Sequence, residues 1–171
     1  MGKGLPRSMS RGAPQRQEIV KQTYLVRNLT ITVDATTGNG FGTVVIGDFP
    51  EGNLLYLGGV SYLTFAGSGS DADLSDTWNG DYSIGTTPSA DATLTGTDAN
   101  LIDSAAIGPA VAEVSPRTRS AGATQAMLDN TDGSLEINLN LSIDDADIAG
   151  TDSVITINGE VQLLFSVMMD D

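Results

Sequence analysis

Apolar residues recur at every second position through much of this chain, a period that suits strands lying on a core and does not suit helices. Leu135, Ile137, Leu139, Leu141 and Ile143 alternate without a fault and predict a half-buried strand. Tyr24 and Val26, then Leu29, Ile31 and Val33, predict another, with a bulge at Asn28 where the phase slips by one. Gly38-Asn39-Gly40 reads as a turn before the apolar run Val44 to Ile46. The uncharged stretch from Gly52 to Ser70 carries too much Gly, Ser, Asn and Thr for a membrane span. It reads as two strands, Leu54 to Leu57 and Val60 to Phe65, broken at Gly58-Gly59. Trp78, Tyr82 and Ile84 alternate around Gly80.

The last segment sets two rules against each other. Asn158-Gly159 is a hairpin signal, but a hairpin there would put Glu160 opposite Ile157 and Gln162 opposite Ile155. In one continuous strand, Ile155, Ile157, Val161, Leu163, Phe165 and Val167 share a face with Gly159, so the hydrophobic phase favours a single long strand. Thr86 to Asp129 holds only short pieces such as Thr93-Leu94-Thr95, and Ala121 to Leu128 alone has helical composition. Seven or eight strands between turn clusters predict an all-β domain, an antiparallel β-sandwich or jelly roll. Its edges lack lysine guards after Lys21, so Asp at strand ends or a neighbouring subunit must protect them.

Charge divides the chain in two. Residues 1–27 hold Lys3, Arg7, Arg11, Arg16, Lys21 and Arg27 against Glu18 alone, a net of +5, while the rest holds Arg117 and Arg119 against 21 acids, a net of −19. Gly and Pro interleave the first cations without any period. Residues 1–21 are therefore expected to form an extended basic N-terminal arm, and 22–171 the β body. The arm has no apolar core of a secretory signal and too much Gly and Pro for an amphipathic transit helix. Its cations Lys3, Arg7, Arg11, Arg16 and Lys21 suit an acidic protein partner, whereas the acidic body avoids nucleic acid and anionic membrane.

The chain has no Cys and no His, which removes disulfides, cysteine nucleophiles, His-dependent triads and zinc or haem sites built on those ligands. Of its acids, Asp71, Asp73 and Asp76, Asp129 to Asp132, and Asp144, Asp145 and Asp147 cluster. Hard cations accept such oxygen ligands, and Asp144, Asp145 and Asp147 are the candidates for one, but no cluster has helix-loop-helix spacing and Asp also favours turns on its own. Trp78 with Asp76, Asn79 and Asp81 could contact a sugar, against the simpler reading of Trp78 as core. Gly38 to Gly42 lacks the residues of a phosphate loop, and Asn28-Leu29-Thr30 and Asn140-Leu141-Ser142 lie in predicted strands, which argues against glycosylation. No cofactor and no enzyme activity are expected.

The stretch from Ser83 to Ala112, SIGTTPSADATLTGTDANLIDSAAIGPAVA, resembles a block of small structural proteins of tailed bacteriophages. An opening strand like TYLVRNLTITV, a Trp-containing strand before the block and an alternating terminal strand are similar too. The resemblance is to capsid decoration, or cement, proteins and covers about Thr23 to the C-terminus. It implies a β-rich homotrimer, made in the host bacterial cytoplasm, that sits on the outer surface of the virion capsid. There it would clamp neighbouring subunits of the major capsid protein, with the arm reaching to a neighbouring decoration subunit. Another virion part, such as a tail or fibre-base component, and a small glycan- or calcium-binding β module are the alternatives.

Overall fold

The computed structural model describes residues 19–33, 40–67, 74–111, 115, 118–122, 125–144, 147–148 and 153–168. They form nine strands: β1 (Ile19–Val33), β2 (Gly40–Asp48), β3 (Gly52–Ala66), β4 (Gly80–Gly85), β5 (Ile102–Ile107), β6 (Thr118–Gly122), β7 (Ala126–Asn130), β8 (Glu136–Ile143) and β9 (Ser153–Met168). A 3-10 turn, Gly96–Asp98, lies between β4 and β5.

Every strand pairing is antiparallel, within two sheets. One runs β1-β9-β3-β6, with β7 following β6 along the same side of β3; the other runs β2-β8-β4-β5. Counting β6 and β7 as one interrupted strand, each sheet has four positions and the chain crosses repeatedly between them. The first strand lies beside the last in one sheet, and the second beside the last but one in the other. That order is a jelly roll, the fold class expected from the alternation.

The core lies between the sheets. It takes Ile31, Leu54, Tyr56, Leu63, Phe65, Leu163 and Phe165 from one sheet and Tyr82, Ile84, Ile137, Leu139, Leu141 and Ile143 from the other, with Trp78 fully buried at the edge of β4. Two hydroxyls cross this apolar layer, and each finds a partner. Tyr82 and Ser61 share a hydrogen bond of 2.8 Å, and Tyr56 Oη donates to the Leu101 carbonyl. Burial and nearby Asp103 raise the Tyr56 phenol well above its ordinary value, so it stays a donor. Tyr24 ties the sheet edges together, lying against Gly47 of β2 and donating to the Asp48 carbonyl at 3.2 Å. Burial, with the charge of Asp48 second, pushes its hydroxyl up to about 12.

Local readings fared unevenly. The bulge at Asn28 is present: Arg27 and Asn28 fall between the Val26–Gly159 and Leu29–Ile157 pairs, Asn28 has φ of 49°, and its N–H donates to Asn158 Oδ1 at 2.9 Å. Strand β9 runs unbroken through Asn158-Gly159, as the hydrophobic phase required. The expected break at Gly58-Gly59 is corrected to one continuous strand. β3 is paired along its length with β9 and absorbs the irregularity as a register shift between Tyr56 and Gly58. Within Ala121 to Leu128, Ala121 and Gly122 belong to β6 and Ala126 to Leu128 to β7 rather than to a helix, because pairing with β3 outweighs a weak local preference. The arm boundary also moves, since β1 begins at Ile19 and Lys21 is a strand residue opposite Leu164.

Gly159 shows how closely β9 and β3 approach. Its φ is +143°, and a Cβ there would stand 2.0 Å from the Tyr62 carbonyl oxygen. Gly159→Ala should therefore lower unfolding free energy by about 2–4 kcal/mol, from backbone strain and overpacking together. Chemical denaturation measures this, and a loss below about 0.5 kcal/mol, the range of an indifferent surface change, would contradict the close approach.

Candidate functional site

The two sheets meet their surroundings in different ways. On β8 the side chains that point away from the core, Asn138, Asn140 and Ser142, are as hidden as those that point into it. The strand expected to be half-buried is therefore covered on both faces, and the cover is the connection from β4 to β5, residues 86–101. Leu94, Ala99 and Leu101 bury their side chains there, and Asn140 fastens the connection down. The Asn140 side-chain oxygen accepts from the Ser89 N–H at 2.9 Å, while its NH2 donates to the Thr87 and Asp98 carbonyls at 3.1 and 2.7 Å. Ser83 donates to the same Asp98 carbonyl at 2.7 Å. Gly85 lies beneath it, where a Cβ would come within 2.3 Å of the Asp98 carbonyl carbon. Thr86 and Asn100 close the base of the connection with two hydrogen bonds of 3.0 Å. Residues 86–101, within the Ser83 to Ala112 block, thus form a structural lid fastened onto the sheet by Asn140 and Ser83.

The outer face of the five-stranded sheet carries a different set of side chains. A row crosses all four strand positions, with Ile19 opposite Ser166, Ser166 opposite Leu55 and Leu55 opposite Met127. Leu164 adjoins it beside Lys21. Ile19 and Met127 are 61% and 58% exposed, and Leu25, further along β1, is 61% exposed. Grouped apolar side chains at this exposure mark an interaction surface more often than isolated ones do.

At the end of the sandwich where β1 starts, the β2–β3 and β7–β8 turns are locked together. The Asn130 NH2 donates to the Phe49 and Pro50 carbonyls at 3.1 and 2.8 Å, its oxygen accepts from the Leu135 N–H at 2.7 Å, and the Phe49 N–H reaches the Leu135 carbonyl at 3.1 Å. Beside them is a groove of about 490 Å³, lined by Val20, Gln22, Asp48, Phe49, Pro50, Phe165 and Val167. Phe49 and Phe165 meet edge to face at 5.5 Å on its floor. Every charged side chain of the two turns is an acid: Asp48, Glu51, Asp129, Asp132 and Glu136.

The structure separates the residues singled out in the sequence. Lys3, Arg7, Arg11, Arg16 and Asp145 lie outside the described residues, as do Asp71 and Asp73. Asp144 is exposed, whereas the Asp147 carboxylate accepts from the Asn79 backbone and side-chain N–H groups at 2.9 and 3.0 Å, spending one oxygen on its own loop. Asp129 and Asp132 likewise hold the turns at Thr131 and Ser134. The Ser134 hydroxyl and N–H hold the Asp132 carboxyl below its ordinary value. Among the described residues no three acids converge as a cation site. Trp78 is fully buried and offers no ring to a sugar. The apolar outer row and the groove escaped the sequence reading, although Leu25 standing between Tyr24 and Val26 broke the alternation and could have signalled two apolar faces on β1.

No protein-family model and no curated protein matches the chain. Solved structures similar to it include the following two. The structure of infectious bursal disease virus, Gx strain, is 11% identical over 88% of this chain, with a TM-score of 0.34. The chain spans 32% of that protein's length. The carbohydrate-binding module CBM4 is 10% identical over 81% of this chain and 94% of its own, with a TM-score of 0.35. No described helix is long and apolar enough to cross a membrane.

Two outcomes test this geometry. Asn140→Ala removes three hydrogen bonds at a fully buried position, so it should cost about 3 kcal/mol in denaturant unfolding and open residues 86–101 to limited proteolysis. Unchanged stability and protection would contradict the role given to Asn140. Asp81 is held above its ordinary value by burial and, secondarily, by the charge of Asp144. A raised carboxyl contributes stability that is present below 3.8 and lost as pH rises through the folded value. Asp81→Asn should therefore raise the unfolding midpoint at pH 7, and the gain should vanish in acid below pH 3.8. An equal gain at both pH values would point to a cause other than charge.

Proposed function

We propose that the protein is a structural virion component that docks on the outer surface of a bacteriophage capsid and stabilises it by bridging neighbouring capsid subunits, with no catalytic role. The asymmetry of the sandwich carries the reading. One sheet is covered over β4 and β8 by its own lid, drawn from the block that resembles phage decoration proteins, while the other presents Ile19, Met127 and Leu164 outward with Leu55 half-buried among them. A protein that holds a shell together needs a broad surface and no cofactor, and a repeated lattice multiplies a weak contact into firm occupancy. The acidic loops then face solvent and keep a densely decorated particle soluble. The basic arm, with Lys3, Arg7, Arg11 and Arg16, ties each copy to its neighbours, which fits a homotrimer.

A second reading, a glycan-binding β module, is favoured by Tyr62, a partly exposed ring on the outer face of the five-stranded sheet, where it is paired with Glu160 near Gln162. A soluble glycan that raised the melting temperature of the isolated protein would support that reading over capsid docking.

Occupancy on undecorated phage heads tests the proposal. The pair Met127→Asp with Leu164→Lys changes exposed positions and should leave folding within about 0.5 kcal/mol of the parent, yet lower head affinity at least about tenfold. Deleting Met1 to Gln17 should leave the body folded and weaken occupancy, most at low salt, where charge contacts count most. Equal occupancy of all forms across a salt series would contradict the docking face and the arm together.

A further inference from the structure

The groove beside the locked turns has a floor that is finished as core and a rim that is not. Phe49 and Phe165 close it below, Val20 and Val167 wall it, and the charged groups of the adjoining turns, Asp48, Glu51, Asp129, Asp132 and Glu136, share one sign. An apolar trough whose charged lining residue is Asp48, beside turns that carry only acids, suits an extended segment in which cations alternate with apolar side chains. Such a segment is written at the start of this chain. Lys3, Arg7, Arg11 and Arg16 recur about every fourth residue, with Leu5, Pro6, Met9 and Pro14 among them.

We propose that this groove receives the basic segment, residues 1–18, of a second copy of the chain. The inference rests on the reading of that segment as a tie between copies and is independent of capsid binding. Charge complementarity selects the segment. Elsewhere the chain has only Lys21, Arg27, Arg117 and Arg119, so no other stretch offers four cations in sequence. The groove's volume, about 490 Å³, holds a few side chains, so a short stretch around Pro6 to Met9 is seated and the flanking cations meet the rim. Reach selects the second copy. Eighteen extended residues span about 60 Å, more than the roughly 40 Å width of a body this size. Val20 and Gln22 already form the wall of the groove in their own copy, so the groove lies beside the start of β1, and a segment of this length can pass from there into the groove of a neighbour. Each charge pair is weak and screened by salt, so the contact is reversible in one pair of copies and firm in a closed ring of them.

The absence of cysteine makes the test direct. Met9→Cys in one batch of full-length protein and Gln22→Cys in another give each chain a single thiol, and the two are mixed and oxidised, both free and on phage heads. The expected product is a disulfide heterodimer, several-fold above the yield of Met9→Cys with a control thiol at exposed Ser104 in β5. That excess should fall several-fold in high salt or when the groove partner also carries Glu51→Lys and Glu136→Lys. In a chain carrying both thiols, bonds between chains should exceed bonds within one. A yield no higher than the control, or a bond formed chiefly within one chain, would overturn the inference. Head occupancy of the same batches separates the two claims. Binding without the heterodimer leaves capsid docking standing and removes the groove contact, and the heterodimer without binding does the reverse.

Discussion

Strand β8 has water on neither face, so the polar side chains of its outer face must find partners within the protein: Asn138 Nδ2 is left without one among the described residues, whereas Asn140 uses both its amide groups. Asn140 meets the requirement by holding the backbone of residues 86–101 through three hydrogen bonds. The rest of the four-stranded sheet follows from this. Gly85 has no side chain because the Asp98 backbone lies on it, and Ser83 donates to the carbonyl that Asn140 also holds. The lid is thereby part of the fold, although it contains no strand of its own between β4 and β5. Asn130 does comparable work at one end of the sandwich, where it locks two turns and shapes the floor of the groove.

With β4 and β8 covered by the lid, the outer face of β1, β9, β3 and β7 is the broad surface left for a partner, while β2 still exposes Val45. The proposed division of labour uses that asymmetry: the outer row of the five-stranded sheet docks, the lid and its acidic loops stay in solvent, and the groove at the β1 end handles contacts between copies. Asp147, Asp129 and Asp132 stabilise turns, each with a nearby hydroxyl or amide, which is the ordinary use of Asp at strand ends. Their surplus charge remains available to a basic segment even while one oxygen is engaged.

The fold was legible where burial and period agree. The faultless run from Leu135 to Ile143, the phase slip at Asn28 and the continuity of β9 through Asn158-Gly159 all followed from which face each side chain must occupy. Where several influences compete, the sequence was opaque. Alternation in β8 signals one apolar face and says nothing of a lid laid over the polar one, since Asn and Ser at Asn138, Asn140 and Ser142 read as solvated. A glycine pair in β3 reads as a break until β9 and the β6 and β7 strands are seen to brace it from both sides. The candidate surfaces were least legible of all, because Ile19, Leu55, Met127 and Leu164 are far apart in the chain and become neighbours only through register. The groove, too, assembles Val20, Phe49 and Phe165 from three strands or turns. The basic segment could be found from charge alone, and its proposed receptor could not.

The orientation of the sandwich on a capsid is the most direct test. An electron cryomicroscopy map of phage heads saturated with the protein, at side-chain resolution, should place the outer face of β1, β9, β3 and β7 against the shell, with the lid of residues 86–101 turned to solvent. A map with the lid against the shell, or heads that acquire no density at saturating protein, would contradict the account.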